Sequence, residues 1–265
     1  MYSPFAIGIR YIKYLLTASN SKGHGVHSPF VYEFITTVLN DDRHFYAYQP
    51  IEKLRQQLLS DNKEIEIEDF GAGSRVAKTK NRKISKIARS SLKPKKFGQL
   101  LFRIVDHYSP FSIIELGTSL GITTAYLAAA KKGSEITTME GALSVSELAK
   151  QHFKILELDN IELVEGDFDS ILSSTIARKV TIDLAFIDGN HRYEPTLRYF
   201  KELLRATHPN SMLIFNDIHW SSEMEQAWRE IQEHPSVTLT IDLFFIGIVL
   251  FRKENKAKQH FSIRF

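Results

Sequence analysis

From Pro110 onwards, the chain alternates short apolar runs with segments of helical pattern, and this constrains the fold most. The runs read FSIIELG, EITTME, IELVEGD, IDLAFIDG and SMLIFND, and a helical segment follows each of them. Such alternation is typical of a parallel sheet covered by helices on both faces. The last two runs, SVTLTIDLF and FIGIVLFRK, join directly and predict an antiparallel finish. The sequence therefore predicts a doubly wound α/β domain with ligands at the carboxyl ends of its strands.

The first part of the chain has a different pattern, without regular alternation. Helical periodicity predicts helices over 4–18, 29–40, 49–60 and 97–108. Ser28 is placed to cap the second helix, and Pro29 suits its first position. We therefore expect two parts: a helical extension with a basic segment over residues 1–96, and the α/β domain over residues 97–265.

Composition narrows the classes of protein that this chain can belong to. Its 265 residues contain no cysteine, which excludes disulfides and thiolate metal sites. Arg10 and Lys13 interrupt the apolar residues at the N-terminus, so this segment does not read as a signal peptide. No uncharged run is long enough for a membrane span. We expect a cytoplasmic protein without stable membrane insertion.

Charge is distributed unevenly along the chain. The formal net charge is only +3, yet the stretch from Gly71 to Val105 contains eleven lysines and arginines and no acidic residue. The rest of the chain is therefore net acidic. Such a stretch forms either a flexible solvated loop or an anion-facing segment that closes over a site or binds a charged partner.

Two glycine turns are candidate nucleotide loops, in EDFGAGSRVAKTKNRK and in IIELGTSLGITTAYLAAA. A nucleotide loop needs a buried strand, a glycine turn and a helix that begins at the ligand. The second turn meets these conditions with Gly117 and Gly121, and Glu140 ends the next strand, where an acid can accept hydrogen bonds from ribose hydroxyls. The first turn follows an alternating charged stretch and precedes basic residues, so we expect a mobile loop there.

The motifs around the second turn resemble those of a known family. ELGTSLG resembles motif I of the class I S-adenosylmethionine-dependent methyltransferases, and TTMEG resembles their acidic ribose motif. DLAFIDGNHRYEPT and MLIFNDIHW resemble the fourth-strand and fifth-strand motifs of the O-methyltransferases related to the catechol and caffeoyl-coenzyme A enzymes. The resemblance covers roughly residues 97–252. It implies a Rossmann-like seven-stranded sheet with a reversed last strand, plus the N-terminal helical extension.

The resemblance also implies a cofactor, S-adenosylmethionine, and the residues that bind it. In this resemblance, Gly117 lets the backbone approach the cofactor closely, and Thr118 and Gly121 lie in the same turn. Glu115 would orient the amine of the cofactor or a nearby amide. The ribose would bind Glu140. The remaining predicted contacts are Asp167 in VEGDFDSIL, with the adenine amine, and Asp188 at the end of the fourth strand.

The acceptor side of the predicted site lies in IDGNHRY and NDIHW. Asp188 and Asp217 match the two acids that hold magnesium in the resembling family. His191 stands where that family has a lysine base, and an imidazole is a reasonable general base. The family's Asn ligand is replaced by Ile218. His219 is a candidate replacement ligand, and such a set would favour zinc, manganese or iron over magnesium. A metal-free enzyme with His191 as base remains the alternative.

The same residues also suggest candidate substrates and binding partners. The resemblance implies a small-molecule methyl acceptor, and makes the loop with His24 and His27 a candidate lid, unless these histidines only cap helices. A second hypothesis is an RNA or protein methyltransferase that uses the basic residues 75–103. A third is a non-catalytic cofactor-binding protein or an adaptor for anionic surfaces. The resemblance also makes a homodimer a candidate.

Overall fold

The computed structural model of the chain describes residues 1–19, 22–23, 25–67 and 81–265. The α-helices of these ranges are α1 Pro4–Thr17, α2 Pro29–Glu33, α3 Tyr48–Ser60, α4 Ile84–Ser91, α5 Lys95–Tyr108, α6 Ile122–Ala130, α7 Leu143–Ile155, α8 Phe168–Ala177, α9 Tyr193–Leu204 and α10 Ser222–Glu233. A π-helix, Phe34–Leu39, follows α2 directly. Within the same ranges, no helix combines the length and the apolar character that a membrane crossing requires.

The strands complete the alternating pattern. They are β1 Glu64–Glu66, β2 Asn81–Lys83, β3 Ser112–Leu116, β4 Glu135–Glu140, β5 Ile161–Glu165, β6 Ile182–Ile187, β7 Thr207–Asn216, β8 Leu239–Asp242, β9 Ile246–Leu250 and β10 Gln259–Ser262. Among the described residues, β1 and β2 form an antiparallel pair, and the other strands belong to one mostly parallel eight-stranded sheet. The chain divides into two compact units: a central unit of residues 42–174, and a terminal unit of residues 1–41 with 175–265.

The central unit contains three parallel strands in the order β3-β4-β5. Glu115 on β3 is in register with Thr138 on β4, and every residue of β3 is buried. The core of the unit includes Ile51, Ile84, Phe102 and other apolar side chains of α3, α4 and α5. Because parallel strands end at the same edge of a sheet, the residues after β3, β4 and β5 lie near one another.

The terminal unit contains the strands β10-β8-β9-β7-β6 in that order. β6 and β7 are parallel, whereas β9 runs antiparallel to both β7 and β8. β10 adds to the edge, parallel to β8. Helix α1 packs Tyr14 against Phe244, with ring centroids 5.3 Å apart. The terminal unit thus holds the reversed strand that the directly joined runs predict.

The Rossmann-like fold expected from the sequence is confirmed, with two differences. Within the described residues, the sheet has an eighth strand, β10, after the predicted seven. The mobile loop expected in the basic segment is wrong for residues 81–91, since β2 pairs with β1 and α4 buries Ile84, Ile87 and Ala88. The glycines of the first turn fall in 68–80, outside the described residues. The predicted boundary between residues 96 and 97 is not tested and stays a prediction.

Phe102 allows a test of the core of the central unit. Its ring is 1% exposed and lies 4.8 Å from Phe45 and 5.2 Å from Tyr48, centroid to centroid. We expect Phe102→Ala to lower the free energy of unfolding by about 3–5 kcal/mol, because it removes buried area and leaves a cavity. Phe111→Ala is the control, since Phe111 is 58% exposed. Equal losses for the two variants in urea denaturation would contradict the assigned packing.

Candidate active site

A buried carboxylate lies beneath the second glycine turn. Glu115, at the end of β3, has no exposed surface. Its Oε2 accepts hydrogen bonds from the hydroxyls of Thr138, at 2.6 Å, and of Thr124 on α6. Thr118 in the turn lies within hydrogen-bond distance of the Thr138 hydroxyl, at 2.6 Å. The structure therefore buries Glu115 beneath the turn, and its expected contact with the cofactor amine or a nearby amide stays a prediction.

The backbone of the turn is held mainly by the protein itself. The amides of Gly117 and Thr118 both donate to the carbonyl of Met139, at 3.1 and 3.0 Å, and that of Gly121 donates to Thr118. Gly117 has φ +104° and Gly121 has φ +78°, a region that side chains disfavour. A ligand at this turn would therefore bind through close contact with the backbone more than through hydrogen bonds from these amides.

Helix α7 packs against the same turn. The Nδ1 of His152 lies 2.9 Å from the carbonyl of Leu120, so this nitrogen carries the proton and donates. Burial lowers the pKa of His152, and the bond to the carbonyl offsets this only in part. A methyl group at Gly121 would lie 2.6 Å from the ring of Phe153. The tight packing therefore requires glycine at position 121.

Glu140 joins the end of β4 to the turn. Its Oε2 accepts the amide of Ser119 at 2.8 Å, and its Oε1 accepts the amide of Ala142 at 3.0 Å. The side chain is half-buried. An ionised carboxylate has about four acceptor positions, so each oxygen keeps capacity for one further donor. Glu140 is thus oriented by the backbone and able to bind a diol.

Asp167 follows β5 at the same edge of the central unit. The amide of Gly166 donates to the carbonyl of Glu140 at 3.0 Å, which brings the end of β5 to the end of β4. The carbonyl of Asp167 accepts the amide of Ser170 as α8 begins, and its side chain is half-buried. The structure therefore brings the second turn, Glu140 and Asp167 together within one unit.

A second group of polar side chains lies in the terminal unit. Asp188, His191 and Asp217 each offer one ligand atom, and these atoms lie within 4.8 Å of one another. The Nε2 of His191 lies 3.3 Å from Oδ1 of Asp188. Ile187 on β6 is in register with Phe215 on β7, so the acids follow neighbouring strands at the same edge. We call these three residues the Asp188 cluster.

Two features of the Asp188 cluster are not anticipated by the sequence analysis. Asn216, 2% exposed at the end of β7, donates from Nδ2 to Oδ1 of Asp188 at 2.6 Å. Asp217 and Asn190 have φ +56°, a conformation that costs free energy for residues other than glycine and is common at functional sites. The signal for Asn216 in the sequence is a polar residue that ends a buried run.

His219 does not join the cluster, which corrects its proposed place among the metal ligands. Its Nε2 lies 2.7 Å from Oδ2 of Asp242, and its Nδ1 lies 3.5 Å from Oε1 of Glu225. Burial on its own lowers the pKa of His219, but the hydrogen bond and charge of Asp242, together with Glu225, raise it above the ordinary value. His219 therefore pairs with carboxylates on β8 and α10, whose proximity the sequence does not reveal.

The basic stretch and the histidine loop are only partly described. Arg103 is 7% exposed within α5, so it does not belong to a surface patch. Lys96 lies over the ring of Phe97, 4.8 Å from its centroid. Residues 75–80 and His24 lie outside the described residues, while His27 is exposed. The predicted cap is confirmed, because the amide of Val31 donates to Oγ of Ser28.

Comparison with known sequences agrees with this arrangement. A family model described as a methyltransferase domain matches residues 114–218, from β3 to the loop that follows β7. Among curated proteins, no sequence matches the chain. The matched range contains the second turn and every residue of the Asp188 cluster. Residues 114–218 are therefore similar to a methyltransferase domain.

Solved structures share the fold. A methyltransferase from Podospora anserina bound to SAH has a TM-score of 0.60 and 13% identity, covering 85% of this chain and 97% of its own. An O-methyltransferase from Bacillus cereus in complex with SAH has a TM-score of 0.56 and 17% identity, covering 83% and 96%. The O-methyltransferase TomG from Streptomyces achromogenes, solved with SAM, has a TM-score of 0.54 and 17% identity, covering 61% and 82%. At these identities the likeness shows the fold.

His152 predicts a pH dependence of stability. Because its pKa is lowered in the folded protein, the unfolded chain takes up a proton first, near its ordinary pKa of about 6.5, and stability falls as the pH falls through that value. His152→Asn keeps a donor for the carbonyl of Leu120 but cannot titrate. We expect the loss of free energy of unfolding between about pH 7 and pH 5 to be smaller in this variant.

The matched control is His44→Asn, since His44 is exposed. Urea denaturation of the three proteins at both pH values gives the comparison. An unchanged pH dependence in His152→Asn would contradict the assigned neutral imidazole.

Proposed function

We propose that the chain is an S-adenosylmethionine-dependent O-methyltransferase that acts on a small molecule. The main support for this proposal is Glu140. The amides of Ser119 and Ala142 orient its two oxygens, and a carboxylate that binds both hydroxyls of a ribose needs such a fixed orientation. The SAM- and SAH-bound neighbours of the same fold support the choice of cofactor.

The cofactor contacts divide among the residues of the central unit. Gly117 lets the nucleoside and the amino acid part approach the backbone closely, whereas Gly121 in the same turn makes room for the ring of Phe153. Helix α6 begins after Gly121 without a side-chain cap, so its N-terminus favours the carboxylate of the cofactor. Asp167 receives the adenine amine. We assign Glu115 and Thr118 a positioning role, because both are buried in the hydroxyl network under the turn.

The reaction is a displacement at a methyl carbon. An acceptor oxygen forms a bond to the methyl group while the carbon–sulfur bond breaks, and the sulfonium leaves as the neutral thioether of S-adenosylhomocysteine. His191 removes the proton of the acceptor hydroxyl. Asp188, 3.3 Å from Nε2, favours the tautomer with its proton on that nitrogen, so Nδ1 is the basic atom. Asn216 holds the Asp188 carboxylate in place.

A divalent ion at the Asp188 cluster is the second candidate for acceptor activation. Two carboxylates and an imidazole with ligand atoms within 4.8 Å fit such an ion, and the mixed oxygen and nitrogen set suits manganese, iron or zinc better than magnesium. An ion held by Asp188, Asp217 and His191 would lower the pKa of a bound hydroxyl. His191 would then be a ligand and not the base, so the two mechanisms are distinguishable.

Other functions have less support. An RNA or protein methyltransferase would use the basic stretch as a surface, but Arg103 of that stretch is buried. A non-catalytic adaptor would not require a base oriented by a carboxylate. The salt dependence of nucleic acid binding tests the first of these: a steep loss of affinity with added salt would favour it.

Glu140→Gln tests cofactor binding. We expect calorimetry to show a dissociation constant for S-adenosylhomocysteine at least tenfold higher, because a charge-assisted hydrogen bond contributes about 1.5–3 kcal/mol. Glu147→Gln is the matched control, since this glutamate on α7 is 58% exposed. Thermal unfolding of both variants checks the fold. Unchanged affinity in a folded Glu140→Gln protein would refute the assignment.

His191→Ala tests the proposed base. We expect kcat to fall by about 10²–10⁴-fold, the usual contribution of a general base, while the affinity for S-adenosylhomocysteine stays the same. Turnover is followed as S-adenosylhomocysteine release with a panel of small hydroxylated acceptors. His44→Ala serves as the control. A His191→Ala enzyme with full turnover would show that another group accepts the proton.

Chelation separates the base from the metal. If His191 is the base, dialysis against EDTA leaves kcat unchanged within about twofold, well below the effect of losing a catalytic group. Loss of turnover that manganese or zinc restores would contradict the metal-free mechanism and support the ion. Metal content measured before and after dialysis completes the test.

A further inference from the structure

Helix α1 carries an apolar stripe on its solvent-exposed face. Phe5, Ile9, Ile12 and Leu16 are 78%, 52%, 59% and 77% exposed. Intervals of four, three and four residues place these side chains on one side of a helix. A contiguous exposed apolar surface is uncommon in proteins that have no partner for it. The stripe therefore indicates a surface with a partner.

The stripe cannot turn inwards, because the opposite side of α1 is attached to the terminal unit. Tyr14 is buried, and the ring of Tyr11 meets that of Phe244 edge to face at 5.0 Å. Arg10 pairs with Glu225 on α10, Nε to Oε1 at 3.1 Å. These contacts fix the rotation of α1 about its axis, so the stripe faces outwards.

The charged residues of α1 itself are both positive, Arg10 and Lys13. Residues 1–32 contain no Asp or Glu, and none occurs after Glu254. Lys13 is exposed on α1 beside the stripe. At the end of the helix, Leu15 and the exposed Arg264 line a recess of about 290 Å³. An apolar stripe bordered by cations is complementary to a surface with an apolar interior and an anionic outer layer.

We propose that α1 is a docking surface for a bilayer of anionic phospholipids, a role beyond methyl transfer. The 14 residues of α1 extend about 21 Å, too short for a span of about 20 residues, so the helix lies in the plane of the membrane surface. Phe5, Ile9, Ile12 and Leu16 enter the boundary between head groups and acyl chains. Lys13 and Arg264 contact the phosphates. Binding is peripheral and reversible.

A second copy of the chain fits this surface less well. Pairing two α1 helices by their stripes would bring Lys13 of both copies into one interface. No acidic residue lies on the helix to compensate, and like charges across an interface are costly. Charge therefore favours a lipid surface, and the dimer becomes an outcome of the test.

Co-sedimentation of the 265-residue chain with vesicles tests the proposal. We expect wild-type protein to bind vesicles of equimolar phosphatidylserine and phosphatidylcholine at least tenfold more strongly than vesicles of phosphatidylcholine alone. Ile9→Gln with Ile12→Gln should lose at least tenfold of that binding, and Lys13→Glu should weaken it selectively on the anionic vesicles. The matched control is Ile155→Gln with Val180→Gln, since these residues are 68% and 97% exposed elsewhere.

Circular dichroism confirms that each variant is folded, and sedimentation velocity gives its mass. Equal binding to both vesicle types, or equal binding by the stripe variant and the control, would overturn the proposal. So would a wild-type dimer that the stripe variant dissociates, together with an absence of lipid binding. None of these measurements depends on the cofactor, so failure here leaves the proposed methyl transfer unaffected.

Discussion

The buried carboxylate of Glu115 is the constraint on which the central unit depends. A polar group without solvent contact is costly unless hydrogen bonds compensate for its lost hydration. Thr124 and Thr138 supply such bonds from α6 and β4, and Thr118 extends the network into the turn. The helix, the two strands and the glycine turn must therefore keep one relative position. This gives the turn a defined shape before any ligand arrives.

Hydrogen bonds within the protein also determine which groups of the turn can bind the cofactor. The amides of Gly117, Thr118 and Gly121 are used within the protein, which leaves close approach and the Glu140 carboxylate as the main means of holding a nucleoside. Glu140 is itself fixed by the amide of Ser119. A turn built in this way is preorganised, so little conformational entropy is lost when the cofactor binds. The terminal unit follows a similar rule, since Asn216 orients Asp188 and Asp188 orients His191.

The sequence predicts the fold well, because alternation of strands and helices is a local pattern. The turn of Gly117 and Gly121 and the acid at 140 are also local, and the central unit brings them together. Helix α4 is missed because its short apolar face, Ile84 with Ile87, lies among many basic residues. The partners of His219 are missed for another reason: Asp242 lies on a strand 23 residues further along the chain, and only the folded sheet brings it near.

The central claim is that the turn at residues 117–121 and Glu140 form the cradle of the cofactor. A crystal structure of the full chain with S-adenosylhomocysteine tests it most directly. We expect the nucleoside to lie against the backbone of this turn, with both ribose hydroxyls on the Glu140 carboxylate and the adenine beside Asp167. Density for the compound at another place, or a ribose without contact to Glu140, would contradict it.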